Sequence, residues 1–346
     1  MATTLEPVET TEYENISDLV ANMSAAGSRA HDVWSSAAVV ILTALTTIGV
    51  AGVLSNIAVL AVLFKKTNRK LATNRYLINL AVSDILMSCF ISILVIQRLY
   101  PVVWTPTTCR LNTVLHFLPL YLGINTIMLV AVERFVAITL PMHFRAFVTS
   151  RMVKLHLALA WLVTIIELIV PIIVVKVVHF GRFTHCTMYQ RRSNIYYVFL
   201  SSVGLPSVFL VATYGFIVAV VVYRQHNSSV APTPADASAT AASTAQQVQA
   251  ARRQKRALRV ALTCAVVTLM FLVCWLPVWV IALMVSYKVS YVTIDMIMWT
   301  NMLNYMHAFI NPVIYFTVDD RFRSVFVRII CRKQVPVDVT QTTSPT

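Results

Sequence analysis

The chain has 346 residues, of which 58% are hydrophobic and only 12% are charged, and its mean hydropathy is +0.73. Soluble domains carry about 25% charged residues, so this composition excludes an ordinary soluble protein and is typical of a membrane protein. The formal net charge of +14 does not indicate a nucleic-acid partner, because the basic residues are spread over four separate connections between apolar segments.

Seven windows of roughly 20 or more mostly apolar residues follow one another, and a helix of that length crosses about 30 Å of hydrocarbon. None of them alternates polar and apolar residues as the strands of a membrane β-barrel do. We therefore predict an all-α membrane protein, a bundle of seven transmembrane helices within residues 35–317. The windows lie near 35–64, 75–98, 111–140, 153–175, 195–223, 257–286 and 291–317.

The connections between the windows predict the orientation, because Lys and Arg concentrate on the cytoplasmic side of membrane proteins. Most of the 28 Lys and Arg residues fall on one side of the bundle, which places the N-terminus outside the cell and the C-terminus in the cytoplasm. Residues 1–34 then form an acidic extracellular leader with glycosylation sequons at Asn15 and Asn22. The leader has no signal-peptide pattern, so the first span is expected to direct insertion.

The predicted cytoplasmic side holds three further segments. A low-complexity stretch at about 225–252 predicts a flexible loop. Residues 318–331 alternate apolar and basic groups at helical spacing, which indicates an amphipathic helix on the membrane surface, followed by a tail at 332–346. Cys331 is a candidate palmitoylation site, and a free cytosolic thiol is the alternative.

Two cysteines, Cys109 and Cys186, both fall on the predicted outer side of the membrane. Because the exterior is oxidising, they are the natural candidates for a disulfide. Motifs of enzymes are absent from the sequence: it has no P-loop, no G-x-S-x-G, no H-E-x-x-H and no paired-cysteine metal motif. We do not expect an enzyme.

Several polar side chains lie inside the predicted spans, where ionisable groups are costly and usually functional. Asn56 and Asp84 lie in the first and second spans, while Asn304, His307 and Asn311 form one stripe on the seventh. Oxygen ligands around a carboxylate suit a hard cation such as sodium. Hydrogen bonds between helices are the alternative explanation.

A set of short motifs, each in a specific span, resembles the rhodopsin-like (class A) G protein-coupled receptors. The resemblance covers residues 35–331 and leaves the subfamily open. The motifs are GVLSN at 52–56, NLAVSD at 79–84, Cys109, VERF at 132–135, Trp161, Pro206, Tyr214, FLVCWLP at 271–277 and NPVIY at 311–315.

The resemblance implies a plasma-membrane receptor that activates a heterotrimeric G protein, with arrestin and a receptor kinase as further partners. It also assigns roles to residues at matching positions. These are a G-protein switch of Glu133, Arg134, Tyr214, Pro312 and Tyr315, an activation core of Phe271, Trp275 and Pro277, and a sodium site of Asn56, Asp84, His307 and Asn311. No other cofactor is implied.

Three positions depart from the family pattern. Phe135 replaces the usual tyrosine after the arginine, and Gly123 replaces a serine near the sodium site, which predicts weaker sodium binding or a proton in its place. Ala257 stands where many relatives carry an acid that reaches the arginine. With Glu133 as the remaining acid, the sequence predicts ligand-independent signalling.

The same resemblance narrows the ligand class. Amine receptors carry an aspartate where this chain has His116, and opsins carry a lysine where it has Tyr305, so neither a simple amine nor retinal is expected. Apart from the acidic leader, the outer rim is basic, and its field would steer an anionic ligand. A neuropeptide is the first candidate, and a small anionic metabolite or lipid is the second. The predicted pocket consists of Asn112, His116, Leu120, Glu167, Trp275, Asn301 and Tyr305.

Two alternatives from other classes remain open at this point. A channel or transporter would also place a carboxylate such as Asp84 inside the membrane, although the sequence lacks the inverted repeats of many transporters. A receptor-like protein that does not signal is the other. G-protein activation that depends on Arg134 separates the receptor from both.

Overall fold

The structure is a computed structural model of the chain. It describes residues 36–65, 74–100, 102–180, 183–188, 196–198, 200–229, 265–284, 287, 292–318, 322–325 and 327. The leader with Asn15 and Asn22, the position of Ala257 and the lipidation candidate Cys331 lie outside these residues, so the corresponding predictions stay predictions.

Apolar helices make up most of the described chain, as the sequence predicts. Six stretches in that part are long and apolar enough to cross a membrane, and the seventh span is formed by two shorter helices in succession. The helices are α1 Ser36–Leu63, α2 Asn74–Leu99, α3 Pro106–Thr139, α4 Pro141–Phe147, α5 Ser150–Glu167, α6 Ile169–Val174, α7 Leu205–Ser229, α8 Ala265–Met284, α9 Ile294–Tyr305 and α10 His307–Val318.

Three of the spans are interrupted near a proline. The fourth span divides into α5 and α6 at Leu168, shortly before Pro171, whose nitrogen cannot donate to the preceding turn. A π-helical turn, Leu200–Gly204, precedes α7 and its Pro206. The seventh span divides into α9 and α10 at Met306, ahead of Pro312. Helix α7 continues to Ser229, so the predicted loop at about 225–252 begins within its last turn.

A two-stranded hairpin between the fourth and fifth spans is an addition to the predicted all-α fold. Its strands, β1 Val175–Phe180 and β2 Phe183–Met188, pair antiparallel with Val177 opposite Cys186. The predicted disulfide is confirmed: Cys186 is bonded to Cys109, and their Cα atoms lie 5.4 Å apart. The bond fixes β2 to the first turn of α3, and we call this end of the bundle the disulfide end.

Helix α3 lies at the centre of the bundle and packs against α2, α5 and α7. It begins with a capping box, in which the Thr105 hydroxyl accepts from the Thr108 amide while the Thr108 hydroxyl accepts from the Thr105 amide. Pro119 lies inside α3 without interrupting it. The outer faces of the surrounding helices expose apolar side chains, such as Leu54 and Ile57 on α1, which suits contact with lipid.

Helices α1 and α2 are in tight contact at Gly52. A Cβ atom at this position would lie 2.1 Å from the Ser88 hydroxyl oxygen and 3.1 Å from its Cβ. That hydroxyl is fully buried and donates to the Asp84 backbone carbonyl at 2.7 Å. The absence of a side chain at Gly52 therefore lets two helices meet beside the buried carboxylate of Asp84.

We expect Gly52→Ala to destabilise the protein by about 1–3 kcal/mol, because the added methyl group overfills this contact. Thermal unfolding of the purified protein in detergent measures the effect. Gly215→Ala is the matched control, since a Cβ there meets nothing within 4 Å, and it should be neutral or stabilising by up to about 1 kcal/mol. Equal losses for both variants would contradict the proposed contact.

Candidate functional site

The charged pair of the VERF motif lies near the C-terminal end of α3, at the end of the bundle opposite the disulfide. Arg134 Nε lies 3.0 Å from Glu133 Oε2. The Glu133 side chain is only 1% exposed, whereas that of Arg134 is 21% exposed. The acid is therefore the buried member of the pair, and the arginine is the one that can reach solvent or a partner. We call this the Arg134 end.

The two tyrosines of the predicted switch are both buried but belong to different hydrophobic clusters. Tyr214 of α7 packs in the main core with Leu210 and Ile217. Tyr315 of α10 belongs to a second cluster with residues of α1 and α2, and its ring stacks on Phe322 with centroids 5.5 Å apart. The switch residues thus lie on three helices around one end of the bundle, with Pro312 one turn before Tyr315 in α10.

The predicted activation core is a column of aromatic rings. Phe271 and Trp275 of α8 stack with centroids 5.8 Å apart, and Trp275 lies 5.3 Å from the ring of His307 at the start of α10. Pro277 lies inside α8, next to this column. The Trp275 indole nitrogen is buried and donates to no residue in the part of the chain that the structure describes, so a water molecule is expected there.

The predicted ligand pocket is centred on His116, midway along the half of α3 nearer the disulfide. The His116 ring stacks on Phe90 of α2 at 4.8 Å and meets Tyr305 of α9 edge-on at 6.2 Å. One turn nearer the disulfide, Asn112 accepts a hydrogen bond from Gln97 at 2.9 Å. Sequence reasoning missed Phe90 and Gln97, because the pairing of α2 with α3 has no local signal.

Other members of the predicted pocket have structural partners. Leu120 is 2% exposed within the main core. Asn301 is half-buried, and its amide donates to the Ile297 carbonyl of its own helix at 2.8 Å. Trp275 belongs to the aromatic column and is 3% exposed.

Glu167, a member of the predicted pocket, contacts Asn125 of α3. Its Oε2 accepts a hydrogen bond from Asn125 Nδ2 at 2.9 Å, and the same amide donates to Thr164 at 3.0 Å. Asn125 is nine residues after His116 on α3, which is about 13 Å further along the axis and on the opposite face. The structure therefore places Glu167 in the contact between α5 and α3 and not beside His116.

Two of the four predicted sodium ligands meet in the structure. Asp84 is 2% exposed, and its Oδ2 accepts a hydrogen bond from Asn311 Nδ2 at 3.1 Å. Asn56 instead donates to the carbonyls of Ala308 and Gly52, at 2.7 and 2.9 Å, and His307 Nδ1 lies 2.6 Å from the Asn304 carbonyl. Among the described residues, no group of three or more His, Cys, Asp and Glu side chains converges. The side chains that are present fit sodium only in part.

A further polar contact ties three spans together at the level of NLAVSD. Asn79 of α2 donates to Thr126 of α3 at 2.7 Å and accepts from the Trp161 indole of α5 at 3.2 Å. The sequence singled out Trp161 as a motif residue, but its partner required the helix packing. An amide with both a donor and an acceptor suits a junction of this kind.

These features, a seven-span bundle with a buried acid and arginine at one end and an aromatic column in the core, define a helical membrane receptor. The family model for the seven transmembrane receptors of the rhodopsin family matches residues 55–315. The chain belongs to this family and is a multi-pass membrane protein.

Individual relatives are distant. The chain is 23% identical to "G-protein coupled receptor 183-A" of Danio rerio over 48% of this chain and 48% of the relative. It is 28% identical to "Probable G-protein coupled receptor 101" of Homo sapiens over 58% of this chain and 39% of the relative. It is 33% identical to "Neuromedin-U receptor 2" of Homo sapiens over 32% of this chain and 28% of the relative. The matches thus span about half of these relatives' lengths or less.

We expect any effect of sodium on the protein to depend on Asp84 and to be small, because among the described residues Asn311 is the one side chain that bonds to this carboxylate. Exchanging sodium chloride for choline chloride at equal ionic strength should lower the melting temperature slightly in the wild type and leave it unchanged in Asp84→Asn. Equal changes in melting temperature for the wild type and Asp84→Asn would contradict a sodium site at Asp84.

Proposed function

We propose that the protein is a G protein-coupled receptor, which binds an extracellular ligand at the disulfide end and activates a heterotrimeric G protein at the Arg134 end. In this orientation the N-terminus is extracellular and the C-terminus cytoplasmic, as the distribution of Lys and Arg favours. The observation that carries the proposal is the Glu133–Arg134 pair, in which the carboxylate is 1% exposed and the arginine can reach solvent; from it we infer a paired and a released state.

The two states follow from the electrostatics of the pair. At rest, Arg134 neutralises the buried Glu133, and removing one partner from such a pair is costly because the other charge stays buried and uncompensated. A G protein that accepts Arg134 in the opened bundle would supply the compensating contacts. Arrestin and a receptor kinase are expected to use the same end.

The seventh span offers a route from the ligand pocket to the core of the bundle. Tyr305, which meets His116, is the last residue of α9, and His307, which meets Trp275, is the first residue of α10. Only Met306 separates them, and its backbone amide is shared by the carbonyls of Met302 and Leu303 at 3.2 Å each. A ligand that moves Tyr305 therefore acts on His307 and Trp275 across one irregular turn.

We expect Arg134→Ala to abolish G-protein activation and Glu133→Gln to raise ligand-independent activation, because the neutral side chain holds the arginine less strongly. Nucleotide exchange on G proteins by the purified receptor in lipid nanodiscs measures both effects. We also expect the wild type to exceed empty nanodiscs, as the alanine at position 257 predicts.

Arg151→Ala is the matched control for these variants, since Arg151 is an exposed arginine at the start of α5, at the same end of the bundle. Its activation should equal that of the wild type. Wild-type activation no higher than that of empty nanodiscs, for every class of G protein, would contradict ligand-independent signalling. Activation that persists unchanged in Arg134→Ala would contradict the proposed function.

For the ligand, we propose an acidic peptide, with a small anionic metabolite or lipid as the second candidate. Glu167 faces Asn125, so the His116 pocket lacks the carboxylate that a cationic amine needs. Above the pocket, a groove beside the disulfide is lined by Trp104, Arg110 and Lys176, which suits an anionic ligand. Relatives are named for different ligands, "Neuromedin-U receptor 2" of Homo sapiens and "Cysteinyl leukotriene receptor 1" of Cavia porcellus, so their names do not decide between the two candidates.

A screen of acidic peptides and anionic metabolites and lipids against the receptor should give an anionic agonist. We expect Arg110→Ala to weaken its potency about tenfold, an order typical of one lost charged contact, and Arg110→Lys to weaken it much less. A cationic amine as the only active compound, or equal potency in both variants, would contradict the proposed ligand class.

A further inference from the structure

A hydrogen-bonded pair of side chains joins α2 to α5 in the half of the bundle that contains the Arg134 end, and neither residue belongs to the family motifs. The Tyr76 hydroxyl of α2 lies 2.7 Å from His156 Nδ1 of α5. Tyr76 is 1% exposed, whereas His156 is half-buried. On its other side, the His156 ring packs against Phe147, the last residue of the connecting helix α4, with centroids 4.5 Å apart.

The Glu133 carboxylate is short of hydrogen bonds. Neither of its oxygens accepts one from the described residues, although Arg134 Nε is close enough to form an ion pair. Asn79 of α2 donates to Thr126 of α3, and α2 and α3 run in opposite directions. Tyr76, one turn before Asn79, and Glu133, two turns after Thr126, therefore lie on the facing sides of the two helices toward the same end of the bundle. When Arg134 leaves, Glu133 therefore stays buried on the side of α3 that faces Tyr76, whose hydroxyl is hydrogen-bonded to His156.

We propose that Tyr76 is a positioning residue for the switch: its hydroxyl binds His156 at rest and passes to Glu133 when Arg134 leaves. In the resting state we assign the proton of the neutral imidazole to His156 Nε2, so that Nδ1 accepts from the Tyr76 hydroxyl. The hydroxyl has one proton, which it then cannot also donate to Glu133. His156 is thus a competitor that keeps Tyr76 away from the acid. The proposal rests on the proposed function for its consequence in signalling, but the exchange of partners can be tested without it.

The exchange predicts opposite signs for two variants that break the same hydrogen bond. Tyr76→Phe removes the replacement partner of Glu133 and should lower ligand-independent activation about fivefold, the lower end of typical coupling between sites. His156→Phe keeps an aromatic ring against Phe147 but releases the Tyr76 hydroxyl, and it should raise activation. A purely structural bond predicts the same direction for both, which would overturn the proposal.

The Glu133→Gln background supplies a further check on the same assay. Without the carboxylate, Tyr76 has no charge to stabilise, so adding Tyr76→Phe should change activation little. A full fivefold loss in that background would show that Tyr76 acts through another group and would overturn the proposal.

A stability measurement tests the exchange independently of any G protein. In Arg134→Ala, the carboxylate has lost its ion-pair partner and should already bind Tyr76. Tyr76→Phe should therefore lower the melting temperature by about 2–4 °C more in Arg134→Ala than in the wild type, and this excess should vanish when Glu133→Gln is added. Equal shifts in all three backgrounds would overturn the proposal, even in a receptor that signals.

If activation is the same in Arg134→Ala as in the wild type but the excess shift is observed, the proposed function fails and the exchange of partners stands. If activation depends on Arg134 but Tyr76→Phe and His156→Phe change it in the same direction, the exchange of partners fails and the proposed function stands. The surface expression of each variant in cells shows whether the variant folds.

Discussion

The central constraint on this bundle is that the middle of α3, residues 119–127, is continuously buried and yet carries the polar side chains Asn125 and Thr126. An unpaired polar group in such a place is costly, and both side chains bond to neighbouring helices. Thr126 accepts from Asn79 of α2, and Asn125 donates to Thr164 and Glu167 of α5. The positions of the surrounding helices are therefore set as much by these bonds as by apolar packing.

The two ends of α3 are held by different kinds of interaction. At one end a covalent bond joins Cys109 to the hairpin, which removes freedom of movement. At the other end is the Glu133–Arg134 ion pair, whose partners we propose to be exchanged on activation. A helix held by a covalent bond at one end and by an ion pair at the other suits a protein in which binding and response occur on opposite sides of a membrane.

The spans, the disulfide and the charged pair could be predicted from sequence because each depends on local composition or on a motif. The hairpin was missed, since VVKVVHF reads equally as the end of an apolar helix. The sequence left open whether Glu167 faces the pocket or a neighbouring helix, because the face that a helix turns toward α3 depends on the rotation of two helices. The Tyr76–His156 bond joins residues 80 positions apart, and no local pattern links them.

The length of α3 has a consequence for the membrane in which the protein works. Its 34 residues form a rod of about 51 Å, well beyond the roughly 30 Å of the hydrocarbon layer, and about 37 Å of it separates Cys109 from Arg134. A thicker or thinner bilayer changes the tilt of such a rod, and with it the depth at which the charged pair meets the headgroups. Lipid composition is thereby a physical variable of the switch, alongside the ligand.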